Sequence, residues 1–360
     1  SGEVVVLSGE NGCGKSTLIE AAAGLLPLEA GSSTISGQLI RDHQGRRGRT
    51  NFGLCLQDDC IMGDELVDER LLDVAGHFFD VKSLLREWDL DHRANDRVAM
   101  LSGGQRRRIA VLSGLLPAML SSNPVAVLLD EPDSGLDDTS VEKLAKLLRD
   151  LAAGGHSILV ASHDERIKGA ADRLISFPFE EEKISLPVGG FSQIKLSSHR
   201  NSFIGPRMTV RTMVGFANNG IAGILVLGAM LAFIDSSILE GNLKTAYILA
   251  PSLAAGLCGD PMFRLLQENR SHAWWRAMKV IPPSGLSAIF VGTIILTIFA
   301  SASINHYDVT IIVAGGFLGV FTAGCVGLLS HATLRLSRPN AVMIRLLTPL
   351  LILPWSLVVD

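Results

Sequence analysis

The apolar positions of this chain fall into two regimes. Up to about residue 178 they come as short uninterrupted runs, Val4-Val5-Val6-Leu7, Phe52–Leu56, Val125–Leu129 and Ser157–Ser162. Between these lie stretches of helical periodicity: Leu18–Leu26, Leu66–Ala75, Val81–Trp88, Ile109–Leu120 and Ser140–Ala152. Short apolar runs between polar turns fit buried parallel strands, so this part predicts an α/β sheet. Residues 65–98 read instead as a cluster of short helices with a polar break at Asp89–Arg97. Beyond residue 210 the runs lengthen and lose their charges: Thr212–Ile234, Thr245–Gly259, Val280–Ile304, Val309–Leu334 and Leu346–Val359. The first has 23 residues, and crossing a hydrocarbon core takes roughly 20. Buried helices of a soluble domain would need amphipathic neighbours to cover them, and this part of the sequence supplies none. The second regime therefore predicts an all-α polytopic membrane domain.

Composition sharpens that division. A length of 360 residues suits two domains, and a net charge of −4 gives no global argument for a nucleic-acid partner. Residues 1–178 hold 19 Lys+Arg against 27 Asp+Glu, while the remainder holds 13 against 9. Charge density thus falls by about half where the long apolar runs begin. We expect a first domain over 1–178, a polar linker over 179–210 carrying Glu180–Glu182 and Gly189-Gly190, and a membrane domain over 211–360. The five cysteines show no C-x-x-C and no metal-ligand spacing, so free thiols are expected. The chain lacks an initiator Met and runs into an apolar segment at Asp360, and a fragment truncated at both ends is expected.

Chemistry concentrates in the first domain. Gly9-Glu10-Asn11-Gly12-Cys13-Gly14-Lys15-Ser16-Thr17 follows an apolar run and opens a helical one, with the spacing G-x-x-x-x-G-K-S. That is a phosphate-binding loop: glycines let backbone N–H groups close around phosphate oxygens, and the helix N-terminus adds its positive end. Lys15 would reach the β- and γ-phosphates and Ser16 would ligate Mg²⁺. A second set of small residues at a helix start is Ser102-Gly103-Gly104-Gln105, another anion site. Val125–Leu129 ends in Asp130-Glu131, two carboxylates able to divide labour. Asp130 would hold Mg²⁺ through its water shell, and Glu131 would polarise an attacking water. Gln57 and His163 each close a predicted strand, at the rim where α/β sheets bind ligands. Two basic clusters, Arg46-Arg47-Gly48-Arg49 and Arg106-Arg107-Arg108, could touch nucleic acid. A solvated hairpin loop and a solvated or ion-pairing helix face are preferred, since no aromatic or basic helix accompanies the first and the second follows the SGGQ turn.

Taken in order, the phosphate loop, Gln57, LSGGQ at 101–105, VAVLLDEP at 125–132, SGLD at 134–137 and His163 resemble an ATP-binding-cassette (ABC) ATPase, over residues 1 to about 178. The resemblance implies an α/β P-loop NTPase with a helical subdomain, working on ATP with Mg²⁺. It implies a head-to-tail dimer, a homodimer or a heterodimer with a similar half-transporter. ATP held by Gly9, Asn11, Gly12, Gly14, Lys15, Ser16 and Thr17 of one copy would be completed by Ser102 and Gly104 of the other, with Gly103, Gln105 and Asp137 also among the nucleotide-binding residues. It adds Gln57 to the metal site and to the link with the membrane domain, and places His163 on the γ-phosphate. The aromatic residue that stacks on adenine in this family lies upstream of the loop, where only eight residues precede Gly9.

Lys and Arg fix an orientation for the second domain. Arg200, Arg207 and Arg211 precede the first span, and a cassette fed by ATP puts that end in the cytoplasm. The loops at 235–244 and 305–308 carry one cation and none, whereas the segments between carry Arg264, Arg270, Arg276 and Lys279, then Arg335, Arg338 and Arg345. The segment 262–283 mixes Phe263, Leu265, Leu266, Trp274, Trp275 and Met278 with charges, as an interfacial helix does. It is expected to dock on the cassette near Gln57. Leu249–Leu253, Phe263–Glu268, Pro282-Pro283 and Leu347–Pro354 make this domain similar to type-2 ABC export permeases, and most to the permease of cytochrome c maturation, a haem exporter. The expectation is a multi-pass exporter of the plasma membrane with its cassette in the cytoplasm, in contact with lipid and with haem as one candidate cargo. ATP-driven assembly or release of an extracytoplasmic haem-handling complex, a generic lipid or drug exporter, and a soluble cassette acting on ribosomes or DNA are the alternatives. The uncharged spans argue against the last. His306 and Tyr307 in the external loop could meet haem, but a solvated loop is the preferred reading, since no intramembrane ligand pair accompanies them.

Overall fold

A computed structural model describes residues 2–35, 37–48, 51–63, 65–176, 180–183, 196–200, 213–235, 239–258, 270–278 and 286–333. Arg49, Gly189-Gly190, Asp260-Pro261, Phe263–Glu268, Pro282-Pro283, the 347–354 motif and the fifth span at 346–359 lie outside the described residues. By its internal contacts the chain forms two units, Ser1–Ile204 with Asn269–Pro282, and Gly205–Glu268 with Pro283–Asp360.

The first unit is built on a six-stranded sheet in the order β4-β6-β7-β1-β8-β9. These are β4 (Phe52–Cys55), β6 (Ala126–Asp130), β7 (Ser157–Ala161), β1 (Val4–Ser8), β8 (Arg173–Ser176) and β9 (Glu180–Lys183). All pairs are parallel except β8 with β9. The apolar runs are strands because they are covered on both faces: Val4, Val6, Phe52, Leu54, Val127, Leu129 and Val160 are all buried. Helix α1 (Lys15–Ala22) follows β1, and α4 (Gly103–Leu120), α5 (Asp138–Ala153) and α6 (Glu165–Gly169) cover the sheet. The 65–98 region gives α2 (Val67–Ala75), β5 (His77–Phe79) and α3 (Val81–Glu87), then a short 3-10 turn at Asp91–Arg93 within the predicted polar break and another at Val98–Met100 just after it.

Some expectations need amending. A hairpin of β2 (Ser32–Ile35) with β3 (Gln38–Asp42) precedes the basic loop. The stretch read as a linker supplies β9 and also β10 (Leu196–Arg200), which pairs with β5. Such strands are invisible to periodicity because edge strands tolerate charges that interior strands exclude.

In the second unit α7 (Met213–Phe233), α8 (Asn242–Leu257) and α10 (Leu286–Ser303) pack on one another, and α11 (Val309–Thr333) packs on α8 and α10. Gly256 and Gly319 sit where a Cβ would fall 1.6 Å from Thr322 Oγ1 and 2.3 Å from Thr293 Cγ2, so no larger residue fits there. Ser252 bridges α8 to α10, with its hydroxyl 3.0 Å from Thr293 O and 2.8 Å from Thr297 Oγ1. Leu225, Phe233, Phe299, Phe317, Phe321 and Leu328 are exposed. Among the described residues one helix, Val309–Leu329, is long and apolar enough to cross a membrane, and Asn219–Phe233 and Ile289–Ser303 are shorter apolar helices. The longer spans expected from the sequence begin or end on residues outside the described set.

Candidate functional site

The site assembles at the C-terminal ends of β1, β4, β6 and β7, where strands stop and turns begin. After β1 the chain turns through Gly9, Gly12 and Gly14 into α1. Gly12 and Gly14 hold φ of 83° and 106°, a region that other residues rarely enter. Lys15, 5% exposed, donates from Nζ to the carbonyls of Gly9 at 2.8 Å and Glu10 at 3.0 Å. The ammonium is thus fixed over the loop by backbone acceptors before any phosphate arrives.

Ser16 donates from Oγ to Asp130 Oδ1 at 3.0 Å. Burial pushes the Asp130 carboxyl above the ordinary carboxylate range, with Ser16 opposing and Glu131 adding to the rise. These are two hard oxygen donors on adjacent side chains, the type Mg²⁺ takes, so the residues present fit that ion. Glu131 stands at φ 45°, unusual for a residue with a Cβ. Gln57 donates from Nε2 to Glu131 Oε2 at 3.3 Å, joining the rims of β4 and β6. An open cleft of about 540 Å³ is lined by Glu10, Asn11, Glu131, Asp133, Ser134 and His163. The structure therefore brings Asn11, Glu131 and His163 together, with Lys15, Ser16, Asp130 and Gln57 beside them.

Ser102 and Gln105 have a local task. Ser102 Oγ accepts from Gln105 N at 3.3 Å and Gln105 Oε1 accepts from Ser102 N at 3.0 Å, a capping box that starts α4. Gly103 has open space around its Cα, whereas a Cβ on Gly104 would lie 3.0 Å from Gly135 O. Asp137 caps α5 through Ser140 N at 2.8 Å and pairs with Arg108, both holding its carboxyl below the usual range. Thr17 lies in the first turn of α1.

Three residues of the cleft are not among the site residues expected from the sequence: Glu10 and Ser134, which lie inside named motifs, and Asp133, which lies between two of them. The basic triplet is the clearer correction. Arg106 and Arg108 do form ion pairs, with Asp59 at 2.8 Å and with Asp137. Arg107 is neither solvated nor on an outer face. It is 4% exposed and hydrogen-bonded to four main-chain carbonyls.

A second feature of this unit is helix α9 (Ser271–Ala277), packed against β4 and α2. Trp274 and Trp275 are buried, and Trp274 Nε1 donates to Leu54 O at 2.8 Å. The guanidinium of Arg70 lies 3.9 Å and 4.5 Å from the centroids of the two indoles and pairs with Glu65 at 3.2 Å. Arg270, just before α9, pairs with Glu20 of α1 at 2.7 Å and lies 3.7 Å from Asp58.

The profile of the ABC transporter family matches residues 1–134. A macrolide export ATP-binding/permease protein, MacB, of Psychrobacter arcticus is 28% identical over 223 residues, covering 57% of this chain and 33% of that protein. The Nod factor export ATP-binding protein I of Burkholderia lata is 33% identical over 184 residues, covering 48% of this chain and 58% of that one. The chain spans about a third of the length of the MacB relative. Among solved structures, the ATP-binding subunit of an ABC transporter aligns with a TM-score of 0.42 at 22% identity, over 51% of this chain and 79% of that one. A dimeric ATP-binding cassette bound to ADP and Pi aligns with a TM-score of 0.41 at 24% identity, over 53% of this chain and 87% of that one. The chain carries an ABC transporter ATP-binding domain, and that domain is an ATPase.

Proposed function

We propose that the chain is an ATP-hydrolysing half-transporter of the export type, multi-pass in the plasma membrane with its cassette in the cytoplasm. Two copies, or one with a similar partner, would close on two ATP and rock the spans between inward and outward openings. The observation that carries the hydrolytic part is the pairing of Gln57 with Glu131, 3.3 Å apart beside the Ser16–Asp130 pair. That the relatives are export proteins, for macrolides and for Nod factor, supports the direction of transport.

In this reading the loop N–H groups of residues 9–17 and the Lys15 ammonium bind and orient the phosphates. Ser16 and Asp130 would hold Mg²⁺, which supplies charge neutralisation on the phosphate oxygens when bound. Glu131 takes a proton from the attacking water, Gln57 fixes the Glu131 carboxylate and the water, and His163 contacts the γ-phosphate. Ser102–Gln105 and Asp137 would close over the partner's nucleotide. Helix α9, seated on β4 three residues before Gln57, would pass the state of that residue to the permease. The cargo is of a class met by an apolar bundle with internal hydroxyls. Haem is a candidate because of the permease-like motifs, and His306, exposed in its loop beside Asp308, is not assigned to hold it.

The test is a pair of variants in the whole chain in membranes. Glu131→Gln keeps the shape and hydrogen bonding but cannot take a proton. It should still bind Mg-ATP, lose about 10²–10⁴-fold in hydrolysis, and accumulate closed dimers detectable by crosslinking. Lys15→Ala should lose nucleotide affinity and form no such dimer. Near-normal turnover by the Glu131→Gln protein would mean that this carboxylate is not the base.

A further inference from the structure

We propose that Arg107 is a positioning residue for ATP hydrolysis: its buried guanidinium ties the ends of β4 and β6 together so that Gln57 and Glu131 meet. The inference rests on the reading of Glu131 as the base.

The argument starts from the sheet. β4 and β6 are neighbours in register from Phe52↔Ala126 to Cys55↔Leu129, and the pairing stops there. The carbonyls of the next residues have run out of the β4–β6 ladder, yet those of Leu56 and Asp130 are buried, where an unpaired carbonyl is costly. Arg107 supplies what the ladder no longer does. Nη1 donates to Leu56 O at 2.8 Å and Gln57 O at 3.1 Å, and Nη2 donates to Asp130 O at 3.0 Å and Glu131 O at 2.6 Å. One planar fork thus spans two strand ends. Asp59 lies 3.6 Å away and supplies the counter-charge.

Both strand ends carry a residue of the site. Gln57 and Glu131 have their main-chain carbonyls on the same guanidinium, one on each nitrogen, and their side chains meet at 3.3 Å. Glu131 holds a left-handed φ of 45°, which persists only where surroundings over-determine it. Its N–H bonds Ala161 O of β7 at 2.9 Å, and its carbonyl accepts from Ser134 N at 3.1 Å as well as from Arg107 at 2.6 Å, so both of its backbone groups are fixed. Without Arg107 only the turn bond from Ser134 N holds that carbonyl, and nothing ties it to the end of β4, so the carboxylate can drift off Gln57. Lysine cannot replace this arrangement. Its head is a single point of charge on a flexible stem, with no fork to divide between two rims.

The experiment uses full-length protein in membranes, with Arg107→Lys and Arg107→Gln each made alone and in the Glu131→Gln background. Steady-state ATPase gives kcat and KM, and a fluorescent ATP analogue gives nucleotide affinity. Both single variants should lose about 10²-fold in kcat, the size of loss that a misplacement of roughly 1 Å produces. KM and analogue affinity should stay within about threefold, since Lys15 and Ser16 are untouched. Added to Glu131→Gln, either change should lower the residual rate by less than about threefold, because Arg107 acts through that carboxylate. Turnover by Arg107→Gln within about threefold of wild type would overturn the inference. Fully multiplicative losses in the double variants would overturn it too, as would parallel loss of affinity and turnover in both single variants, which marks a folding role. Failure of the base reading shows separately, as near-normal turnover by Glu131→Gln alone.

Discussion

Single residues at the strand ends of this sheet are set by the main chain around them as much as by their own chemistry. His156 is a second case, at the far end of the same strands. It is 1% exposed, and its Nδ1 accepts from the N–H of Val125 at 3.1 Å, which only a neutral ring can do. Burial accordingly holds this imidazole below the ordinary histidine value. As pH falls through about 6.5 the unfolded chain takes up its proton first, while the folded chain resists until its own lower pKa is reached. The stabilisation is therefore present above about pH 6.5 and is lost as pH falls from there toward the folded pKa. His156→Gln keeps an acceptor within reach of Val125 and removes the titration. Thermal unfolding between pH 7.5 and 5.5 should show a steeper fall in Tm for the wild type than for the variant. Parallel curves would remove His156 as a source of acid sensitivity.

Elements were legible in the sequence where their signal is local. The loop over residues 9–17, the strand ending at Asp130-Glu131 and the start of α4 are read from adjacent residues, because the turn, the cap and the chemistry share one stretch of chain. Contacts across the chain were not legible. Arg107 looks like its two neighbours until β4 and β6 are brought to it, and Arg70 gives no hint that two indoles more than 200 positions later will cover it. Strands β2 and β9 escaped because Ser32–Ile35 and Glu180–Lys183 carry edge-strand polarity. The seating of α9 gives a prediction at this scale. Trp274→Ala removes the indole, its bond to Leu54 O and one face of the Arg70 cation–π contact, leaving that buried charge less compensated. Large-to-small changes of this kind cost about 3–5 kcal/mol, more than a surface-type Arg270–Glu20 pair can offset. Cysteines placed at Glu20 and Arg270 should join through a bifunctional maleimide in membranes, and adding Trp274→Ala should reduce that yield at least about fivefold, a change of roughly 1 kcal/mol at equilibrium. Because the two cysteines replace the partners of the Arg270–Glu20 pair, an unchanged yield would show that α9 stays seated without either Trp274 or that pair.

At the scale of the whole molecule, the helical unit has reversed polarity compared with the cassette. Ser252, Thr293, Thr297 and Thr322 are buried, while Phe233, Phe299, Phe317 and Phe321 face outward. Hydroxyls and glycines inside with aromatics outside is the packing expected where the surroundings are lipid and helices gain little by hiding apolar surface. Orientation then rests on charge. The cations at Arg270 and Arg276 stand between α8 and α10, whereas the turn from α10 to α11 carries His306 and Asp308 and no Lys or Arg. On the proposed half-transporter reading, the positive-inside rule predicts position 270 on the cytoplasmic side and position 306 outside. Single cysteines at these positions, in a background with Cys13, Cys55, Cys60, Cys258 and Cys325 replaced, separate the two sides. An impermeant maleimide added to intact cells should label His306→Cys and spare Arg270→Cys, and both should react once the membrane is opened. His306→Ala should change neither protein level nor ATPase rate by more than about twofold, as a solvent-exposed loop position distant from any named mechanism of destabilisation predicts. Labelling of position 270 from outside would invert the orientation. It would also place the Arg270–Glu20 pair on the wrong side of the membrane from cytoplasmic ATP, and the half-transporter reading would fall with it.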